Sequence, residues 1–105
     1  MPIYQTATYR VEPSAIDEVK AAIVEFVEYV RTNESGTTLY AAWQEMDDPT
    51  EFVHLFIFRD KEAQEAHSES DAVARFEAVY SPHLVGGPVV FTDHVLVADN
   101  LRTST

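Results

Sequence analysis

Four histidines, His54, His67, His83 and His94, are the side chains of this 105-residue sequence best suited to acid–base chemistry. Imidazole ordinarily titrates near pH ~6.5, so it can take up or release a proton at neutrality, and burial or a neighbour moves it easily. Cysteine is absent, which excludes a thiol nucleophile, a disulfide framework, a thiolate metal site and an iron–sulfur cluster. No two histidines stand four residues apart, the spacing with which a helix presents zinc ligands, so no metal is expected. His67 ends a short helical stretch, where it serves either as a general base or as a positive end-group complementing the helix dipole. His54 sits among Phe52, Phe56 and Phe58, either as a polar group lining a pocket or as a buried ring bonded to a backbone carbonyl. His83, between Pro82 and Leu84, reads as loop surface, and His94, beside Asp93, as a contact between two copies.

The elements that must position these groups are readable from periodicity. In residues 52–58 the groups Phe52, His54, Phe56 and Phe58 share one strand parity and Val53, Leu55 and Ile57 the other, so both faces are apolar and both need cover. Asp60 is placed to cap a helix starting at Lys61. Upstream, residues 3–11 alternate as a first strand, and Ser14 with Asp17 resembles a capping arrangement for a helix carrying Ile16, Val19, Ile23, Phe26, Val27 and Val30 on one face. Gly36 supplies a left-handed turn, residues 37–46 a second strand, and Asp47, Asp48 and Pro49 the turn of a hairpin. Ser70 caps a further helical stretch with Val73, Phe76 and Tyr80 on one face, and residues 89–98 form the last strand.

This succession predicts an α+β, ferredoxin-like split βαβ fold (βαββαβ) with a four-stranded antiparallel sheet. Its helices cover one face only, while strands 3 and 4 are apolar at both parities. A homodimer with sheets packed face to face is therefore expected.

The length and a 46% hydrophobic content suit one domain over residues 1–105, with 99–105 a frayed polar tail. The net charge of −11 and the lack of a basic cluster disfavour nucleic acid and anionic membrane surfaces as partners. No stretch approaches the roughly 20 apolar residues of a membrane span and no leader precedes the first strand, so a cytoplasmic, soluble protein is expected. Only three glycines occur, in neither a dinucleotide fingerprint nor a phosphate loop, so the usual sequence evidence for a nucleotide cofactor is missing, while flavin binding by other routes stays open.

Residues 33–70 resemble the antibiotic biosynthesis monooxygenase domain, a family of small dimeric α+β barrels. The resemblance rests on Glu34, Gly36 and Tyr40, on the turn Asp47, Asp48, Pro49, on Phe56 and Phe58, and on Asp60, Ala63 and His67. It implies a dimeric α+β barrel and, among the chemistries such domains host, cofactor-independent oxygenation of a phenol, a quinol or a polyketide-type aromatic by O2. Haem degradation is disfavoured, because residues 71–80 hold no histidine and Thr6 stands where such relatives place an asparagine. In the implied reaction His67 or His54 is the base, and Thr6, Tyr40, Trp43, Phe26, Phe58, Phe76 and Tyr80 bind an aromatic ring in a mainly apolar pocket. The competing readings are a non-catalytic dimer that binds a small hydrophobic ligand or serves as a stress or accessory protein, and an isomerase of a phosphorylated sugar. Scarce cations, of which Arg10, Arg59 and Arg75 alone are near, weigh against the second.

Overall fold

The computed structural model describes residues 1–101. Strand β1 (Ile3–Arg10) leads through a 3-10 turn (Pro13–Ala15) into helix α1 (Ile16–Asn33), followed by β2 (Thr37–Gln44) and β3 (Glu51–Phe58). Helices α2 (Lys61–Ser68) and α3 (Asp71–Tyr80), a 3-10 turn (Ser81–His83) and β4 (Val90–His94) complete the chain. The sheet order is β2-β3-β1-β4 with every pairing antiparallel, the ferredoxin-like arrangement expected from the element order. No helix of the described residues is long and apolar enough to cross a membrane.

Parity determines which residues meet. The helix-facing side of β3 carries Phe52, His54, Phe56 and Phe58, all buried, against Val19, Ile23, Phe26 and Val30 of α1 and Ala72, Phe76 and Tyr80 of α3. Its other side carries Val53, Leu55 and Ile57, half-buried, beside Leu39 and Trp43 of β2, which are 40% and 53% exposed in the single chain. That second face is apolar and uncovered, as the sequence predicts.

Both helices after β3 begin on caps read from the sequence: Ala63 N–H donates to Asp60 Oδ1 at 2.9 Å, and Val73 N–H to Ser70 Oγ at 3.2 Å. Ser14 does not cap α1. Pro13 starts a 3-10 turn that already contains Ser14, whose hydroxyl donates to Glu12 Oε1, and α1 has no side-chain cap. Gly36 is not left-handed, since Gly86 and Gly87 are the glycines of positive φ. It is required by close approach: a Cβ there would stand 2.6 Å from Ala63 Cβ, where the start of β2 rests on α2. Strand β4 stops at His94, which pairs with Tyr4, rather than at residue 98; Pro2, the next residue of that parity on the β1 side, has no N–H with which to extend the ladder. Beyond it Val95 and Val97 are 83% and 97% exposed. Of the expected polar tail, 99–101 have no regular structure and 102–105 lie outside the described residues.

Candidate functional site

His54 lies at the centre of β3, directly opposite Ala7 on β1 and Ala42 on β2. Those two small neighbours leave room above the sheet, into which Tyr9 and Tyr40 lean from the flanking strands, each a diagonal neighbour of His54. Tyr9 Oη lies 2.8 Å from His54 Nε2 and Tyr40 Oη 2.7 Å from His54 Nδ1. The imidazole is 1% exposed and, instead of a carbonyl, has two tyrosine hydroxyls as partners. Burial holds its pKa down at about 4, so at neutral pH it is uncharged. Burial likewise raises the Tyr9 and Tyr40 hydroxyls above the ordinary tyrosine range and Tyr80 to about 12, so all three keep their protons.

His67 reaches the same space from the last turn of α2. Its ring lies 5.1 to 5.6 Å from those of Phe56, Phe58 and Phe26. Nδ1 lies 2.7 Å from Glu34 Oε1, and the same oxygen accepts a 2.9 Å bond from the Thr37 hydroxyl. Glu34 forms the C-terminal cap of α1, its N–H donating to the Val30 carbonyl at 2.9 Å. An ionised carboxylate in that place accepts an N–H from Nδ1, and Nε2 has no partner among the described residues. A proton arriving at Nε2 would then make an imidazolium already paired with Glu34.

His54 and His67 line one cavity of about 50 Å³, walled by Tyr9, Phe26, Tyr40, Phe56, Phe76 and Tyr80 and bordered by Val89, just before β4, and by Phe91 within it. That volume holds a diatomic molecule or a water or two, not an aromatic ring. A ring would have to sit at the mouth, where Phe91 is 58% exposed, with only its reacting edge inside.

Of the predicted ring-binding residues, Phe26, Tyr40, Phe76 and Tyr80 line the cavity, and Phe58, fully buried, backs His67. Thr6 and Trp43 do not. Their parity puts them on the opposite face, opposite Leu55 and Val53, with Thr6 Oγ1 2.8 Å from His94 Nε2. His83 is a surface strap between Glu12 and Glu18, at 3.2 Å from each. Sequence reasoning gave Tyr9 and Glu34 no chemical role. Tyr9 could have been found as the diagonal neighbour of His54 once β1 was paired with β3, whereas the Glu34–His67 pair spans 33 residues.

Residues 2–79 match the sequence model of the family described as antibiotic biosynthesis monooxygenase. The chain belongs to this family. Its fold is shared with family structures at low identity. A candidate antibiotic biosynthesis monooxygenase of Bacteroides thetaiotaomicron VPI-5482 superposes with a TM-score of 0.86 at 16% identity, covering 98% of this chain and 96% of that one. A structure described as antibiotic biosynthesis monooxygenase gives 0.84 at 23% identity, with 91% and 99% covered. Rv0793 from Mycobacterium tuberculosis gives 0.83 at 21%, with 94% and 98% covered. No curated protein matches the chain significantly. At these identities the structural likeness concerns the fold, so the chemistry of this antibiotic biosynthesis monooxygenase domain must be argued from its own cavity.

Proposed function

We propose that the protein is a cofactor-independent monooxygenase that deprotonates an electron-rich phenol, quinol or anthrone-type compound and lets the resulting anion react with O2. The observation that carries this reading is the Glu34–His67 pair: an imidazole whose Nδ1 lies 2.7 Å from a carboxylate oxygen, on a side chain that lines an apolar cavity. His67 is the base. His54, neutral and with both nitrogens engaged by tyrosine hydroxyls, is a poor proton acceptor and serves to position Tyr9 and Tyr40.

For a substrate with an acidic CH2 beside its ring, the atoms balance without a cofactor. His67 Nε2 takes one proton, the carbanion passes an electron to O2, and the radical pair joins in a C–O bond as a peroxide anion. That anion recovers the proton from His67 and loses water, leaving C=O where CH2 stood. The apolar wall of Phe26, Phe56, Phe76 and Phe58 excludes water from the reactive anion. Formation of a homodimer through the uncovered sheet face belongs to the same proposal, since Leu39, Trp43, Leu55 and Ile57 form an apolar surface there that a second copy of the same surface would bury. The test is oxygen uptake by flavin-free protein against a panel of quinols and anthrones, with and without added flavin. Uptake without flavin supports the reading. If no panel member is consumed while several bind at the cavity, as judged by Phe91→Ala weakening binding, a ligand-binding protein is the better description.

A further inference from the structure

The hydrogen bonds around His54 fix the number of protons available to the cavity. Tyr9, His54 and Tyr40 carry three protons between them, one on each hydroxyl and one on the neutral ring, and make two mutual hydrogen bonds, at 2.8 and 2.7 Å. If Tyr9 donates to Nε2, then Nδ1 donates to Tyr40 and the Tyr40 proton is left over. If Tyr40 donates to Nδ1, the Tyr9 proton is left over. In either case one hydroxyl proton has no acceptor among the described residues. Both hydroxyl-bearing side chains line the cavity, and Tyr9 is 6% exposed. A buried donor without an acceptor is costly in an empty site and is satisfied by an acceptor placed in that space.

We infer that the 50 Å³ cavity is a dioxygen subsite, in which the surplus hydroxyl of the Tyr9–His54–Tyr40 relay donates a hydrogen bond to the oxygen that becomes superoxide and then peroxide. The inference rests on the oxygenase reading and extends it to where O2 sits. The volume suits a diatomic, and His67 across the cavity holds the proton that the peroxide finally takes. The hydroxyl stabilises charge as a donor and does not give up its proton, consistent with burial holding both tyrosines protonated. Such a donor at a mainly apolar site favours the charge-developing step over the neutral ground state.

Proton counting makes a distinctive prediction. In Tyr9→Phe, His54 turns its N–H toward Tyr40 and frees the Tyr40 proton; Tyr40→Phe does the converse. Each single variant therefore keeps one hydroxyl donor, and the double variant has none. The experiment measures kcat/KM for O2 with a substrate found in the flavin-free panel, together with anaerobic formation of the substrate anion by absorbance. Each single variant is expected within about fivefold of wild type, and the double variant about 10²-fold lower, the usual cost of one oxyanion donor, with anaerobic anion formation unchanged. Equal and multiplicative losses in the two single variants, or an unaffected O2 term in the double variant, overturn the inference. Should the double variant not fold, the single variants decide: an O2 term within about fivefold of wild type in both supports the counting, and a loss near 10²-fold in either one shows that no second donor takes over and overturns the inference. A wild-type protein that consumes no oxygen with any panel member refutes the oxygenase reading itself and is thereby distinguished from either result.

Discussion

Replacing His54 by Gln should remove a pH-dependent part of the protein's stability while keeping a donor and an acceptor between Tyr9 and Tyr40. The imidazole is 1% exposed and its pKa is held at about 4 by burial, against an ordinary value near 6.5. Between those values the unfolded chain binds a proton that the folded chain excludes, so the contribution is fully present above pH ~6.5 and is lost as pH falls toward 4. Two and a half pKa units correspond to about 3 kcal/mol in full, and about 2.5 kcal/mol of that falls between pH 7.5 and pH 4.5. Urea unfolding at fixed protomer concentration, followed by circular dichroism at both pH values, gives the two free energies for wild type and variant. The carboxylates are common to both proteins, so their contribution cancels in the difference. The fall in stability from pH 7.5 to 4.5 should be about 2.5 kcal/mol smaller in His54→Gln. A fall within about 0.5 kcal/mol of wild type would show that His54 is not buried as a neutral ring and would remove the basis for the relay.

Gly36→Ala places a Cβ 2.6 Å from that of Ala63, and the start of β2 must move off α2, lowering stability by about 1–3 kcal/mol in thermal unfolding. An unchanged melting temperature would mean the two elements are not in contact there. Asp60→Ala loses the 2.9 Å cap on Ala63 N–H and should cost about 1 kcal/mol, with Asp60→Asn retaining most of it. Trp43→Glu, on the uncovered sheet face, should shift sedimentation from a dimer to a monomer while far-ultraviolet circular dichroism is preserved. A wild-type monomer at micromolar concentration would remove the face-to-face dimer.

The fold was legible because its signals are local and redundant. Alternation over β1 and β3, the helical spacing of α1 and the caps at Asp60 and Ser70 each involve a few neighbouring residues, and all agree with one topology. The departures are informative. Ser14 had the right residue type for a cap, but Pro13 brought the turn forward, and Gly36 is glycine because of a helix that lies far along the chain. The site was half legible. Histidine type and the aromatic surroundings singled out His54 and His67, and periodicity within α1, β3 and α3 put Phe26, Phe58, Phe76 and Tyr80 on the buried face between sheet and helices, where the structure has them. Parity is relative, however, and without the β2–β3 register nothing within β2 decides whether Tyr40 or Trp43 faces the helices. The carboxylate that orients His67 and the second tyrosine on His54 arise from pairings 33 and 45 residues apart, which only the folded chain brings together.

The central claim is that His67, held by Glu34, is the base of a cofactor-independent oxygenation. Its most direct test compares initial rates of oxygen uptake by flavin-free wild type and His67→Gln on the same quinol or anthrone. Glutamine fills the side-chain volume but cannot accept the proton, so the rate should fall by about 10²–10⁴-fold with the melting temperature near that of wild type. Uptake by His67→Gln within a few-fold of wild type would contradict the account.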